Sequence, residues 1–443
     1  MRSIEPVTRS VRTGFDMILD PRVGILGGLE ELARPAGAPD FIHYRARACA
    51  TGAIGAQRNE RIADAAAIDR EEAAAKATAA AIARYCAALY DRDGLPLAAY
   101  EDAHFPCVDP AEFALHSEAQ YRMPGFPWLP AAPDLPLRWA AVTDFASGSP
   151  SHVPAAFVFY PFGYFRDAGD LPLGQPTTTG LACRPGIAAA ALAALAEVVA
   201  HDAIAIFWQA MIQPPRISHE SLPGSVLALI HRFETTGDQV VLLDVTTDNR
   251  LPAFLAALAS DRPERPAYVF AAASGLDPAE TIVEALEQLA SNAHLAQEIK
   301  AKLPPVSADN GWEDLIDRFD HLSFAADHAN RHHFAFAFSS EDRRSFAGYE
   351  NEATGDTESD LKLFLTRVLA TDHRIYAANL TTEDVLPLGL NVCRVVVPGY
   401  QPLYRGHRLR ALGGSRLYEV PRKLGYRGIA RGQGGNPAPH PFF

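Results

Sequence analysis

Three histidines lie close together in the sequence and could in principle ligate a metal. His328 and His332 are four residues apart, so on an α-helix they would share one face, and His333 follows directly. The segment reads D-H-A-N-R-H-H-F and lacks the H-E-x-x-H pattern of a catalytic zinc site. We therefore interpret these histidines as structural or surface residues and expect no metal site.

The hydroxyl and glycine clusters do not form a recognised catalytic or phosphate-binding motif. Residues 149–152 and the three threonines at 177–179 lack the G-x-S-x-G pattern of a nucleophile elbow. The glycines at 24–28 and 52–55 lack the G-K-S/T ending that a P-loop needs. Turn and capping roles are expected for these residues.

Cysteine spacing and net charge argue against a disulfide-stabilised protein, a zinc knuckle and a general nucleic-acid-binding protein. The five cysteines include no C-x-x-C pair, which argues against a disulfide framework or a zinc knuckle and favours reduced thiols in a cytoplasmic protein. The formal net charge of −13 would repel phosphate backbones, so general nucleic-acid binding is not expected. One basic stretch, residues 405–431, could still bind an anion or a peptide locally.

Alanine-rich stretches predict long helices that alternate with short apolar strands. Alanine density and apolar periodicity predict helices over residues 69–90, 186–209, 277–303 and 360–371. Apolar runs predict strands at residues 155–160, 240–245, 268–272, 374–378 and 392–397. We expect an α/β (α+β) protein with mixed sheets, built as a single large domain or as two intimately packed lobes.

No membrane segment or secretory signal is expected, because no uninterrupted apolar run approaches the roughly 20 residues needed to span a bilayer. Proline and glycine are frequent at residues 123–136 and 406–443, which predicts loop or extended structure there. One domain is expected over residues 1–443, with a distinct N-terminal segment at about 1–65 and a proline-rich tail at 436–443.

Several blocks of the sequence resemble one known family. Residues 20–25 read D-P-R-V-G-I, similar to D-P-x-x-G-I, and residues 69–86 match D-P-E-E-A-x-x-K-A and R-Y-C. Residues 180–183 read G-L-A-C, similar to G-L-A-x, and residues 394–403 match R-V-V-V-P-G-x-Q-P-L. Residues 437–441 form P-x-P-x-P. The chain thus resembles the YcaO family, in the azoline-forming cyclodehydratase branch that makes thiazole/oxazole-modified microcins and related ribosomal peptides.

The resemblance implies an ATP-dependent reaction. Members of this branch activate a backbone amide of a precursor peptide with ATP, and a neighbouring Cys, Ser or Thr side chain attacks it to form an azoline. Magnesium needs hard oxygen ligands, which the family supplies as glutamates spaced i and i+3 on helices. The family's proline-rich tail is understood to reach the active site, which implies a role there for Pro437, Pro439, Pro441 and Phe443.

Most of the carboxylates that the resemblance implies are absent. Arg84, Glu197 and Arg394 remain as candidate cofactor-binding residues. The degenerate positions are Ala80, Ala83, Ala189, Ala200, His201 and Gln288. In addition, Thr179 replaces an asparagine of the family and Arg184 replaces a glycine. Because the surrounding residues keep the family pattern, selective loss of the ATP and magnesium site is the simplest interpretation, and no cofactor is expected.

Three functions remain open from the sequence. The first is a catalytically deficient YcaO protein that serves as a partner or peptide-holding scaffold. The second is an active cyclodehydratase that binds ATP and Mg²⁺ through Glu197, other carboxylates or a partner chain. The third is an ATP-independent peptide-modifying enzyme that uses the tail with Arg84, Glu197 and Arg394. Expected partners are a precursor peptide, a leader-peptide-binding protein and an intact YcaO protein, in a homo- or heterodimer.

Overall fold

Three sheets form the framework of the part of the chain that the structure describes. The structure is a computed structural model and describes residues 18–35, 37–55, 57–113, 115–164, 169–306 and 311–443. The first sheet is antiparallel and contains, in this order, β1 (Leu26–Leu32), β2 (Ile42–Ala48) and β3 (Ile62–Ala67).

The two larger sheets carry strands from distant parts of the sequence. The six-stranded sheet contains β4 (Leu97–Ala98), β5 (Leu137–Asp144), β6 (Pro150–Pro154), β7 (Leu181–Pro185), β13 (Tyr376–Asn379) and β14 (Leu390–Val396). Its main path is β4-β5-β13-β14-β7, and β6 pairs with β5. The five-stranded sheet contains β8 (Arg216–Ile217), β9 (Gln239–Asp244), β10 (Ala253–Ala259), β11 (Tyr268–Ser274) and β12 (Arg343–Arg344), in the order β11-β10-β9-β8-β12.

Eight α-helices lie within the described residues. They are α1 (Arg70–Ala87), α2 (Glu118–Tyr121), α3 (Ile187–Gln209), α4 (Gly224–Glu234), α5 (Pro278–Lys302), α6 (Arg318–Ala326), α7 (Thr357–Leu369) and α8 (Arg416–Lys423). The four helices predicted from the sequence correspond to α1, α3, α5 and α7. The mixed α/β architecture is therefore confirmed.

Helix α1 covers the three-stranded sheet with its alanine face. The Asp69 carboxylate caps the helix by accepting hydrogen bonds from two backbone N–H groups at 2.9 and 3.0 Å. Ala73, Ala77 and Ala81 are fully buried, and the helix packs against β2 and β3. Because methyl groups are small, the helix axis can lie close to the sheet. The face of the helix adjacent to the alanine face then points toward the protein interior.

Helix α3 lies between the two larger sheets. It packs against β7 and β14 on one side and against β10 and β11 on the other. Contrary to the expectation from the sequence, this helix is long and apolar enough to cross a membrane, but 72% of its most apolar window is buried inside the protein. Its central position therefore accounts for its apolar sequence.

The strand predicted at residues 155–160 is wrong. Ala155–Phe157 forms a 3₁₀ turn, and the backbone N–H groups of Val158 and Phe159 both donate to the carbonyl of Ala155 at 3.0 Å. Ala155 and Val158 are fully buried in a core cluster beside β5. The run is apolar because it fills this core, and burial alone does not distinguish a strand from a turn.

The prediction of only loop or extended structure over residues 406–443 is also wrong, because α8 lies within it. Pro421 stands in the last turn of this helix, where a proline usually disfavours helix by about 3 kcal/mol. Leu417 and Val420 are buried in the same core cluster as the end of α3. Tertiary packing therefore outweighs the local preference.

Candidate functional site

A cavity of about 730 Å³ lies where α1, α3 and α5 approach one another. Helix α5 packs against β3 as well as β10 and β11, so it joins the small sheet to the five-stranded sheet. The helices contribute Lys76, Ala80, Ala83 and Arg84 from α1, Ala193, Ala196, Glu197, Ala200 and His201 from α3, and Glu284, Glu287, Gln288 and Ser291 from α5. We refer to this space as the central cavity.

Most of the positions at which the sequence departs from the family pattern lie at the central cavity. Ala80, Ala83 and Ala200 line it, so methyl groups stand where carboxylates were expected. Gln288 also lines it, and its side-chain amide donates a hydrogen bond to Glu284 at 3.0 Å. Ala189 does not line the cavity. The structure thus brings together most, but not all, of the degenerate positions.

Glu197 is the retained carboxylate among the expected positions, and it lines the cavity. It accepts a hydrogen bond from the backbone N–H of Gly180 at 2.9 Å. A side chain at residue 180 is excluded, because its φ is +79° and a Cβ would lie 2.3 Å from the carbonyl oxygen of Val395. Burial disfavours the charged carboxylate and raises the pKa of Glu197 to about 7, against the effect of the Gly180 hydrogen bond. Its negative charge is therefore incomplete at neutral pH.

His201 lines the cavity one turn beyond Glu197. Its Nδ1 lies 2.8 Å from the hydroxyl oxygen of Thr179, and its Nε2 lies 4.0 Å from the Glu197 carboxylate. Burial lowers the pKa of His201 to about 4. The imidazole is therefore neutral at pH 7 and does not replace the positive charge of an arginine.

Arg394 lies behind the cavity wall and is not among the lining residues. Its guanidinium donates hydrogen bonds to the carbonyl oxygens of Phe157 and Thr177, both at 2.9 Å. Burial lowers the pKa of Arg394 to about 10, although the charge of Glu197 opposes this shift. Arg394 remains cationic at neutral pH and holds the segment next to Thr179 in place.

Lys76 and three glutamates form an ion cluster beside the cavity that the sequence analysis did not identify. The Lys76 ammonium lies 2.9 Å from Glu284 and 3.1 Å from Glu72, and it also pairs with Glu287. Burial disfavours the ammonium, but Glu284 and Glu287 outweigh that effect and raise the pKa of Lys76. The i, i+3 spacing of Glu284 and Glu287 on a predicted helix was the available signal.

Three arginines and one glutamate form a second cluster, which we call the arginine cluster. Arg318 and Arg405 each lie 3.1 Å from the Glu60 carboxylate, and Arg84 lies 4.0 Å from it. The Tyr160 hydroxyl donates to the same carboxylate. All three arginines line the central cavity. The sequence analysis named Arg84 and included Arg405 only within the basic stretch 405–431, because the members of the cluster come from segments far apart in the chain.

The proline-rich segment 436–443 is ordered against the end of α3. The backbone N–H of Asn436 donates to the carbonyl of Gln209 at 2.9 Å, and the indole N–H of Trp208 donates to the carbonyl of Ala438 at 3.1 Å. His440 stacks on His321 with ring centroids 3.7 Å apart. These contacts attach the segment to two helices, α3 and α6.

The end of this segment reaches the central cavity. His440, Phe442 and Phe443 line it, and the Arg318 guanidinium lies 4.6 Å from the centroid of the Phe443 ring. The three prolines do not line the cavity. Pro439 and Pro441 are buried and Pro437 is exposed. The prolines therefore direct the chain, and the residues between and after them contact the cavity.

The carboxylates of the central cavity do not fit a magnesium site. Asp64 is bound by Arg45 at 2.7 Å, Glu284 and Glu287 are bound by Lys76, and Glu197 has a raised pKa. Within the described ranges, no group of three or more His, Cys, Asp or Glu residues is placed to hold a metal ion. The arginines of the cavity have the charge and geometry to bind phosphate oxygens, but the hard ligands for a divalent cation are already neutralised.

The histidines at 328, 332 and 333 lie in a 3₁₀ segment, His328–Phe338. In a 3₁₀ helix residues i and i+3 share a face, so the i, i+4 argument for a metal site does not apply. The Nε2 of His328 lies 3.0 Å from the carbonyl oxygen of Arg265. This contact suits a structural histidine.

Comparison with solved structures shows the same fold in several heterocyclases. A "Heterocyclase in complex with substrate and Cofactor" has a TM-score of 0.77 at 17% identity, over 98% of this chain and 57% of that chain. The heterocyclase TruD has a TM-score of 0.63 at 20% identity, over 83% of this chain and 50% of that chain. This chain spans only about half the length of these two proteins.

A third solved structure is matched over most of its length. YcaO from Methanopyrus kandleri, bound with AMPPCP and Mg²⁺, has a TM-score of 0.61 at 18% identity, over 88% of this chain and 90% of that chain. No curated protein matches the sequence. The family model described as YcaO cyclodehydratase, binding ATP and Mg²⁺, matches residues 66–401. The chain therefore belongs to the YcaO family.

Proposed function

We propose that this protein is a catalytically deficient YcaO protein that serves as a partner or peptide-holding scaffold in a complex that modifies a ribosomal peptide. The observation that carries the proposal is the central cavity, in which Ala80, Ala83 and Ala200 stand at expected carboxylate positions. Of the carboxylates that do line the cavity, Asp64 is paired with Arg45, and Glu284 and Glu287 are paired with Lys76, whereas Glu197 has a pKa raised by burial. A divalent ion bound there would have to displace existing ion pairs, which makes its binding unfavourable.

Two observations support the scaffold role: the C-terminal segment 436–443 is ordered, and a protein of similar fold is part of a multi-subunit complex. The end of segment 436–443 lines the cavity although alanines stand at Ala80, Ala83 and Ala200, where carboxylates were expected. A chain of the E. coli microcin synthetase McbBCD complex, also solved with pro-MccB17 bound, shares the fold at 13% identity over 84% of this chain and 88% of that chain, with TM-scores of 0.58 and 0.57. We extend this to the present chain as a cytoplasmic subunit that works with a precursor peptide, a leader-peptide-binding protein and an intact YcaO protein, in a homo- or heterodimer.

The proposal is tested by nucleotide turnover and peptide modification with the purified full chain. We expect no magnesium-dependent release of ADP and no loss of water from a precursor peptide, measured by a coupled assay and by mass spectrometry. We also expect the chain to co-purify with an intact YcaO protein from the same source. Magnesium-dependent ADP release that requires the peptide's Cys, Ser or Thr residues would instead establish an active cyclodehydratase, and a matched peptide with alanine at those positions is the control.

A further inference from the structure

Thr179 and His201 contact each other at the wall of the central cavity. The hydroxyl oxygen of Thr179 lies 2.8 Å from Nδ1 of His201, and both residues line the cavity. Thr179 stands where the family pattern has an asparagine, and His201 stands where it has an arginine. These two departures therefore form one new hydrogen-bonded pair, whereas the alanines of the cavity only remove functional groups.

Glu197 lies on the opposite side of the imidazole ring. Its Oε1 is 4.0 Å from Nε2 of His201, and its Oε2 accepts the backbone N–H of Gly180 at 2.9 Å. A carboxylate next to Nε2 favours the tautomer that carries its proton there, so Nδ1 is left to accept the proton of the hydroxyl. Such contacts are often longer before a substrate is bound. Hydroxyl, imidazole and carboxylate thus follow one another in the order of an activated nucleophile.

The hydroxyl is held in place at the cavity. Arg394 donates a hydrogen bond to the carbonyl oxygen of Thr177 at 2.9 Å, and on the other side of Thr179 the backbone of Gly180 has a φ of +79°. The His201 side chain is 17% exposed, and because burial lowers its pKa it is neutral at pH 7 and free to accept a proton. A nucleophile that is fixed before the substrate binds loses less entropy in the reaction.

We propose that Thr179 is a nucleophile that takes an acyl group from an ester or thioester in the central cavity, with His201 as its general base and without metal or nucleotide. Because the carboxylates around the cavity do not fit a magnesium site, the acyl donor must carry a good leaving group of its own. Esters and thioesters have one and amides do not. This inference goes beyond the proposed scaffold role, which concerns the ATP-dependent reaction.

Each proton and leaving group in this reaction has a defined destination. The Oγ of Thr179 bonds to the carbonyl carbon, and its proton passes to Nδ1 of His201, while Glu197 stabilises the imidazolium from the side of Nε2. The bond from the carbonyl carbon to the alcohol oxygen or thiol sulfur then breaks, and the leaving atom takes the proton from Nδ1. The acyl group remains on Thr179 as an ester, which water hydrolyses to a carboxylic acid and free Thr179.

The test treats the full chain in EDTA with p-nitrophenyl acetate, stops the reaction with acid at successive times, and maps acetyl groups by mass spectrometry of peptides. We expect an acetyl group on Thr179. Thr179→Ser should retain acetylation at this position, and Thr179→Val should abolish it. His201→Gln should slow it by about 100-fold or more, as expected for loss of a general base.

Thr371 supplies a matched control, since its hydroxyl oxygen lies 3.1 Å from Nδ1 of His373 but it does not line the cavity. Thr371→Val should leave acetylation of Thr179 unchanged, and thermal melts identify any variant that fails to fold. Acetyl groups found only on other residues would overturn the proposal, as would equal rates for the wild type and folded His201→Gln. The scaffold role would survive that failure, because ADP release and co-purification test it separately.

Discussion

At the central cavity, single residues determine whether the site could hold a metal ion. Glutamates at Ala80, Ala83 and Ala200 would gather negative charge around Glu197, and without a cation they would repel one another. Alanine removes that repulsion and has the highest helix propensity. A YcaO protein that no longer binds magnesium is therefore expected to be stabilised by these residues.

Restoring carboxylates should restore a cation site. In the triple variant Ala80→Glu, Ala83→Glu and Ala200→Glu, we expect measurable Mn²⁺ binding in a titration followed by electron paramagnetic resonance, because several hard oxygen ligands then face one space. Single substitutions should bind no ion. Ala75→Glu, at an exposed position of α1 outside the cavity, is the matched control. A folded triple variant without Mn²⁺ binding would show that these three positions do not form the site.

At the scale of elements, α3 is connected to the C-terminal part of the chain by a buried ion pair. The Arg416 guanidinium on α8 donates two hydrogen bonds to Asp202 on α3, at 3.0 and 2.6 Å. Asp202 also accepts from the backbone N–H of Gln401 at 2.9 Å. Both members of the pair are almost fully buried. Arg416 also pairs with Asp248 at 2.9 Å, so the buried Asp202 carboxylate belongs to a small network in which Arg416 is the shared cation.

Arg416→Met should cost about 3–5 kcal/mol of unfolding free energy, because it leaves a buried carboxylate without its cation. The double variant with Asp202→Asn should recover most of this loss, since the amide oxygen still accepts from Gln401 while the buried charge is gone. Denaturant unfolding of both variants measures the difference. Arg122→Met removes an exposed ion pair and is the control. Equal stability of the single and double variants would show that the ion pair does not hold these elements together.

The contribution of the C-terminal segment 436–443 can also be measured through the stability of the protein. Phe442 is 3% exposed and packs at the edge of the Trp208 ring with centroids 6.2 Å apart. Phe442→Ala should therefore destabilise the protein by about 3–5 kcal/mol. Phe443→Ala, which removes a partly exposed ring, should cost less, and the two melting temperatures compare them directly. Equal and negligible effects would mean that the segment is not docked in solution.

At the scale of the whole molecule, buried neutral histidines should make stability depend on pH. Burial lowers the pKa of five histidines from 6.5, to about 4 for His43, His116 and His201 and to about 3 for His321 and His407. The unfolded chain binds protons at these groups from pH 6.5 downward and the folded chain does not, so stability is lost as pH falls. Glu197 has the opposite sign, because its raised pKa means that stability is lost as pH rises from 4.5 to 7.

Because more histidines have a lowered pKa than carboxylates have a raised pKa, we expect the melting temperature to fall steadily between about pH 6.5 and pH 4. His116→Asn should reduce this slope if the folded structure is kept, because one fewer group then takes up a proton on unfolding. His332→Asn, at an exposed imidazole, should not change the slope. A melting temperature that is constant over this range would contradict the assignment of the five histidines as buried and neutral.

The sequence by itself determined the long helices and the family pattern, because both depend on residues close together in the chain. Alanine density predicts α1, and the periodic apolar residues predict α5, within a few residues of their observed bounds. The sequence likewise predicts that Ala80 and Ala83 stand on the same helix as Arg84, because the spacing of these three residues is local information.

Which charged side chains form ion pairs was decided only by the tertiary structure. Glu60, Arg318 and Arg405 come from three distant segments of the chain, and no local pattern predicts that the two arginines pair with the same carboxylate. The same holds for Lys76 with Glu284, and for the burial that makes His201 neutral. Periodicity along the chain reports which face of an element is apolar, whereas charge pairing and desolvation depend on which elements pack together.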